Sequence, residues 1–204
     1  MASDKNNLKA SESDLADVYK FYFEGKYKKA LLALDNLTHE FPCDPLLYII
    51  GGDCYVPLNE YERAISCYEE AIKLSPDNIK AYIKKIDVLR LNGEIENSLL
   101  ICNEALEISP DNSDLYFHQA NIFSDQFDFL KALENYNKSI KLNPNNAYAF
   151  CNKSNVLENL RKFDAAITAA KNAIKINPNF ALAFFNLGVA AMQSRNFDLS
   201  NNSF

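Results

Sequence analysis

Two histidines, His39 and His118, five cysteines and a surplus of carboxylates are the side chains here that could carry nucleophilic, acid-base or metal chemistry. A catalytic centre needs such groups to converge, with a nucleophile, a base and donors for developing charge within reach of one another. The histidines stand far apart in sequence, and neither neighbours a cysteine in a pattern that would make a metal site or a Cys–His couple. Cys43, Cys54, Cys67, Cys102 and Cys151 contain no CxxC pair and are odd in number, which reads as reduced thiols rather than a disulfide framework. The five glycines are scattered apart from Gly51–Gly52, so no phosphate-cradling loop is present. Glu69, Glu70, Glu104 and Glu107 fall in polar helical stretches and read as a solvated face. No catalytic residue, cofactor or metal is expected, and the chain is read as a non-enzyme.

Bulk properties narrow the partners. With 21 basic against 27 acidic residues the net charge is −6, and no basic stripe interleaved with aromatics occurs, which argues against nucleic acid and anionic lipid as partners. The opening MASDKNNLKASESD lacks the apolar core of a signal peptide, and no segment approaches a membrane-spanning run. A soluble cytoplasmic protein is the expectation.

The elements that must position any binding surface are set by a period. Pro42, Pro76, Pro110, Pro144 and Pro178 are each separated by 34 residues, and the phrases KLSPDN, EISPDN, KLNPNN and KINPNF end on the same rhythm. With this proline at repeat position 32, the blocks are 11–44, 45–78, 79–112, 113–146, 147–180 and a partial 181–204, preceded by a flexible tail over 1–10. Position 20 reads Ala30, Ala64, Ser98, Ala132, Ala166 and Ser200, and position 27 reads Leu37, Ala71, Ala105, Ser139 and Ala173, so small residues recur where two helices must touch. Position 4 reads Asp14, Tyr48, Tyr82, Tyr116, Phe150 and Phe184, and position 17 reads Tyr27, Tyr61, Ile95, Phe129, Phe163 and Phe197, so rings recur where a gap must be filled.

Apolar spacings of three and four make each block two helices, a first over positions 1 to 14 and a second over about 17 to 30. Asp77–Asn78, Asp111–Asn112, Asn145–Asn146 and Asn179 stand where first-helix amides need caps, and the proline at 32 stops each second helix. Gly25 and Gly93, both at position 15, suit a turn with positive φ. Pro57 predicts an early end or kink in the second block's first helix. The final block is expected to hold only half of a second helix, so that either the natural chain continues past 204 or another molecule or a degenerate cap covers Phe184, Phe185, Leu187 and Val189.

These columns resemble the tetratricopeptide repeat, over about residues 11 to 204. Block three departs with Ile86 where a small residue is usual, and block one with Asp14 where a ring is usual. The resemblance implies an all-α fold, a right-handed α-solenoid of antiparallel helix pairs, with first-helix positions 2, 5, 6, 9, 12 and 13 facing a concave groove. Asn121, Asn152, Asn155 and Asn186 then form a partial asparagine ladder resembling those of O-GlcNAc transferase and kinesin light chain, extended by His118. A carboxamide both donates and accepts, so it can pair with a peptide backbone whatever its side chains. Lys80 and Lys84 match two positions of the family's carboxylate clamp, while Leu15, Tyr19 and Ile50 replace the other three. Tyr19, Tyr22, Phe23 and Ile49 are read as an apolar surface for a partner helix or a second copy of the chain.

The expectation is therefore a non-catalytic scaffold binding an extended peptide or partner helix in its groove, with homo-oligomers through the array ends. The alternatives are a structural subunit of a multiprotein assembly, a regulatory repeat domain of a longer enzyme, and a co-chaperone holding acidic tails.

Overall fold

The computed structural model describes residues 9–201. Residues 1–8 of the expected N-terminal tail lie outside them, while Ala10 is tied down by its backbone N–H, which donates to the Asp44 carboxylate at 3.0 Å. The described residues form helices and no strand. They divide into two compact units, the first ending at Ile108 and the second beginning at Ser109. No helix among them is long and apolar enough to cross a membrane.

The first unit contains α1 (Ala16–Phe23), α2 (Tyr27–Glu40), α3 (Pro45–Tyr55), α4 (Tyr61–Leu74), α5 (Ile79–Leu91) and α6 (Ile95–Ile108). The second contains α7 (Ser113–Asp125), α8 (Phe129–Leu142), α9 (Ala147–Asn159), α10 (Phe163–Ile176) and α11 (Ala181–Asn201). Within each unit consecutive helices pack on one another, and in the second α9 also meets α7 and α11. The predicted small columns are buried: Ala30, Ala64, Ser98, Ala132 and Ala166 at position 20, and Ala71, Ala105, Ser139 and Ala173 at position 27, have no exposed surface, while Leu37, the large residue of the position-27 column, is partly buried. A larger side chain in either column would force the paired helices apart.

Helix starts are written in short polar residues. The side chains of Asp44, Asn78, Asn112 and Asn146 accept from first-turn amides of α3, α5, α7 and α9 at 3.0 to 3.3 Å, each cap contributing about 1 kcal/mol. The turn inside each repeat is more uniform than the glycines suggest. Gly25, Asn59, Gly93, Phe127 and Arg161, all at position 15, have φ between 57° and 81°. The amide that follows each of them reaches back to the carbonyl five residues earlier, Lys26 to Phe21, Glu60 to Tyr55, Glu94 to Leu89, Asp128 to Phe123 and Lys162 to Leu157, at 2.8 to 3.2 Å. This closes the first helix with a left-handed residue.

Three blocks depart from the pattern. The first helix of block one starts at Ala16 rather than at position 1, because the Asp14 carboxylate accepts from the Ser11 amide at 2.8 Å and the Ser11 hydroxyl at 2.6 Å and holds residues 11–14 in a turn. Pro57 acts as expected: α3 stops at Tyr55 and Val56–Leu58 tightens into a 3-10 turn. The last block does not turn at position 15, and α11 runs unbroken through Arg195. Phe184 and Phe185 of α11 are exposed, as are Leu182 and Met192.

Gly52 in α3 allows the closest approach in the first unit, since a Cβ there would sit 2.4 Å from the Tyr68 ring, whereas nothing lies within 4 Å of one at Gly188. Gly52→Ala is therefore expected to destabilise the chain by about 1–3 kcal/mol through overpacking, and Gly188→Ala to stabilise it by about 0.5–1 kcal/mol. Arg161→Gly removes an L-residue from the left-handed region and is expected to raise stability by about 0.5–1 kcal/mol. Urea unfolding of the three variants measures each difference.

Candidate functional site

One polar arrangement occurs twice among the described residues. In the first unit the Tyr68 hydroxyl of α4 donates to the Asp53 carboxylate of α3 at 2.8 Å, and Asp53 also receives the Lys84 ammonium of α5 at 2.9 and 3.1 Å. In the second the Tyr136 hydroxyl of α8 donates to the Asn121 amide oxygen of α7, which also accepts from the Asn152 amide of α9 at 2.9 Å. Both sets use repeat positions 24 and 9 of one block and position 6 of the next. One latch is charged and the other neutral, and each joins three helices.

The tyrosines can do this because they sit between the two small columns. Ala64, Tyr68 and Ala71 share one stripe of α4, as Ala132, Tyr136 and Ser139 share one of α8, and all six are buried. Burial first, and the Asp53 carboxylate second, push the Tyr68 hydroxyl above the usual tyrosine pKa. Its hydrogen bond is thus fully present below that ordinary value and is lost only as pH rises beyond it.

Beside the charged latch, α1, α3 and α5 enclose a cavity of about 340 Å³ lined by Tyr22, Asp53, Val56, Tyr68, Lys84 and Leu91, among others. Tyr22 packs edge-on against Tyr27 and Phe23 at its side, with ring centroids 5.7 and 5.6 Å apart.

The sequence-predicted residues separate into distinct roles. Ile49, expected on an apolar partner surface, is 2% exposed and packs in the core with Ala64, Tyr68 and Val88. It belongs to the hairpin contact because α3 turns it toward α4 and α5. Tyr19 and Tyr22 are half-buried against the first core cluster, and Phe23 alone of that group projects outward, 81% exposed. Lys80 is exposed, but Lys84 is held by Asp53 and is committed to the latch. Asn121 is 8% exposed and bonded internally, and Asn186 is buried with its amide donating to the Cys151 carbonyl at 3.1 Å. These two asparagines support the wall from behind. Asn152, Asn155 and His118 are the polar members of the set that reach the accessible faces of α9 and α7. His118 lies edge-on to Phe117 with centroids 5.3 Å apart.

The remaining reactive groups do not assemble. None of the five cysteines is in a disulfide, and burial pushes the thiols of Cys54 and Cys102 up to about 12 and those of Cys67 and Cys151 up to about 11. Among the described residues no group of three or more His, Cys, Asp and Glu side chains could hold a metal ion.

Comparison with known proteins agrees with the helical hairpins. Sequence profiles described as TPR repeat match residues 52–85, and those described as tetratricopeptide repeat match 113–146 and 135–168. Residues 52–85 and 113–168 are tetratricopeptide repeats. No curated protein sequence matches it. Its fold is similar to TTC0263, a thermophilic TPR protein of Thermus thermophilus, at 15% identity and TM-score 0.73 over 90% of this chain and 100% of that one. It is also similar to MamA from residue 41 to its end, of Desulfovibrio magneticus RS-1, at 20% identity and TM-score 0.64 over 86% of this chain and 95% of that one. A third likeness is to YrrB, described as a TPR protein with an unusual peptide-binding site, at 18% identity and TM-score 0.61 over 86% and 91%.

In these tetratricopeptide repeats the latch residues tie the two helices of one block to the first helix of the next. Tyr68→Phe removes a bond to a carboxylate and is expected to cost about 1.5–3 kcal/mol, whereas Tyr136→Phe removes a neutral bond and is expected to cost about 0.5–1.5 kcal/mol. Denaturant unfolding of the two variants checks the order, and equal losses would contradict the difference in charge.

Proposed function

We propose that the chain is a non-catalytic interaction scaffold whose second unit holds an extended peptide along the first-helix faces of α7 and α9. The observation that carries this reading is the state of Asn152. Its amide nitrogen is fixed on Asn121, itself held by Tyr136, so the plane of this half-buried carboxamide is set while its carbonyl oxygen remains an acceptor for a ligand. Asn155 lies three residues on, exposed, with its oxygen turned toward the Asn159 amide at 3.4 Å and its own amide available to donate. An acceptor and a donor one helical turn apart match the N–H and C=O that an extended backbone offers. Fixing them beforehand lowers the entropy lost on binding. Of the ladder expected from sequence, the proposal retains Asn152 and Asn155 as contacts with His118 beside them, and assigns Asn121 and Asn186 to support.

A second reading, a self-associating or structural subunit of an assembly, is favoured by one observation in the same unit. Leu182, Phe184, Phe185 and Met192 of α11 are each half or more exposed, an apolar surface of the kind that mediates association.

Peptides selected on the wild-type chain from a displayed random library provide the test. The Asn152→Ala/Asn155→Ala double variant is expected to lose about thirtyfold in affinity for selected peptides of unrelated sequence, as two hydrogen bonds of about 1 kcal/mol each imply. Asn186→Ala is expected to lower stability and leave affinity intact. Unchanged affinity in the double variant would overturn the reading, and a sedimentation coefficient that rises with concentration would favour the second one.

A further inference from the structure

The two units carry the same groove twice, with its charge inverted. In the first unit a cavity of about 370 Å³ is bounded by α4, α5 and α6. In the second a cavity of about 490 Å³ is bounded by α8, α9 and α10. Nine lining residues correspond one to one at an offset of 68, twice the repeat length. The apolar floor is kept, with Ile65, Leu89 and Ile101 answering to Leu133, Leu157 and Ala169. The edge is not kept. Glu69, Glu94 and Glu104 become Asn137, Lys162 and Asn172, while the lysine at the centre, Lys85 or Lys153, stays.

That substitution leaves a chemical demand. In the first unit the Lys85 ammonium is covered, its side chain 12% exposed and bonded to the Glu69 carboxylate at 2.9 Å. In the second, Asn137 replaces that carboxylate, and Lys153 is half-buried in the groove with no acidic partner among the described residues. Burial holds its pKa below the usual lysine value, and no anion offsets this. A half-buried ammonium without a counter-charge gains when a carboxylate arrives from outside, since the ion pair then forms at a site already partly desolvated. Beside it lie Phe150, Leu133 and Leu157, which offer apolar surface to the same arriving segment.

We propose that the groove between α8 and α10 is a binding site for an acidic–apolar segment of a partner protein, whose carboxylate takes on Lys153 the place Glu69 takes on Lys85. Lys162 at the rim favours the same sign of charge. Lys153 and Leu157, four residues apart, form one stripe of α9. Asn152 and Asn155 lie on another, so this site is separate from the one proposed above and does not rest on it.

The probes are fluorescein-labelled short peptides carrying a glutamate between two large apolar residues, each paired with its glutamine analogue, and the readout is fluorescence anisotropy against the full chain. The glutamate peptides are expected to bind about tenfold more tightly than their analogues, the scale of one charge-assisted hydrogen bond. Lys153→Met keeps the aliphatic stem and is expected to abolish that preference. Asn137→Glu restores the carboxylate of the first unit and is expected to occupy Lys153 from within, blocking the glutamate peptides while raising the unfolding temperature. Asn152→Ala/Asn155→Ala is expected to leave the preference intact, which separates this site from the first-helix face. Equal binding of the two peptide series, no binding by any glutamate peptide, or a preference that survives both Lys153→Met and Asn137→Glu would overturn the proposal.

Discussion

Everything in these hairpins depends on two helices lying close enough to touch, and that closeness is set by residues with almost no side chain. Ala64 and Ala71 in α4, and Ala132 and Ser139 in α8, are wholly buried at the contact. Between each pair stands a tyrosine on the same stripe, brought within hydrogen-bond range of the neighbouring helix only because the small residues above and below it permit the approach. Tyr68 also needs Gly52 opposite, whereas Tyr136 accommodates Ala120 at the corresponding position. The polar contacts that stiffen the wall are therefore downstream of a steric condition. Dispersion and burial close the hairpin, and the hydrogen bonds then select one registration of it.

The turns show a second economy of the same kind. A left-handed residue at position 15 ends each of the first five first helices, whether it is Gly25, Asn59, Gly93, Phe127 or Arg161. The backbone bonds that enclose it are repeated with little variation, so the local geometry is imposed by the hairpin and accepted by residues that do not favour it. Asn59 does so directly after a 3-10 turn caused by Pro57, which shortens α3 without displacing the next helix.

Much of this was legible in the sequence. The proline period, the small columns and the capping asparagines are local signals, and local signals survive into structure because each depends on near neighbours. The left-handed turns at Phe127 and Arg161 were not legible, since nothing in those residue types marks them. Nor could the ladder be sorted into contacts and supports. Whether an asparagine at position 6 or 9 faces outward depends on its partners across the hairpin, such as Tyr136 for Asn121 and the Cys151 carbonyl for Asn186. One signal was available: tyrosine at position 24 accompanies Asp or Asn at position 9 and Lys or Asn at position 6 of the next repeat, twice in the same combination. Ile49 was misplaced for a related reason, because an apolar residue on a first helix serves the groove or the core according to a rotation that period alone does not fix.

The paired latches also constrain how such a chain can diverge. Asp53 with Lys84 is neutral as a pair, and so is Asn121 with Asn152, but a lineage passing from one pair to the other by single changes must cross a form with one charge half-buried and unanswered. A change tolerated at either position is therefore one that is matched at the other, in the neighbouring repeat.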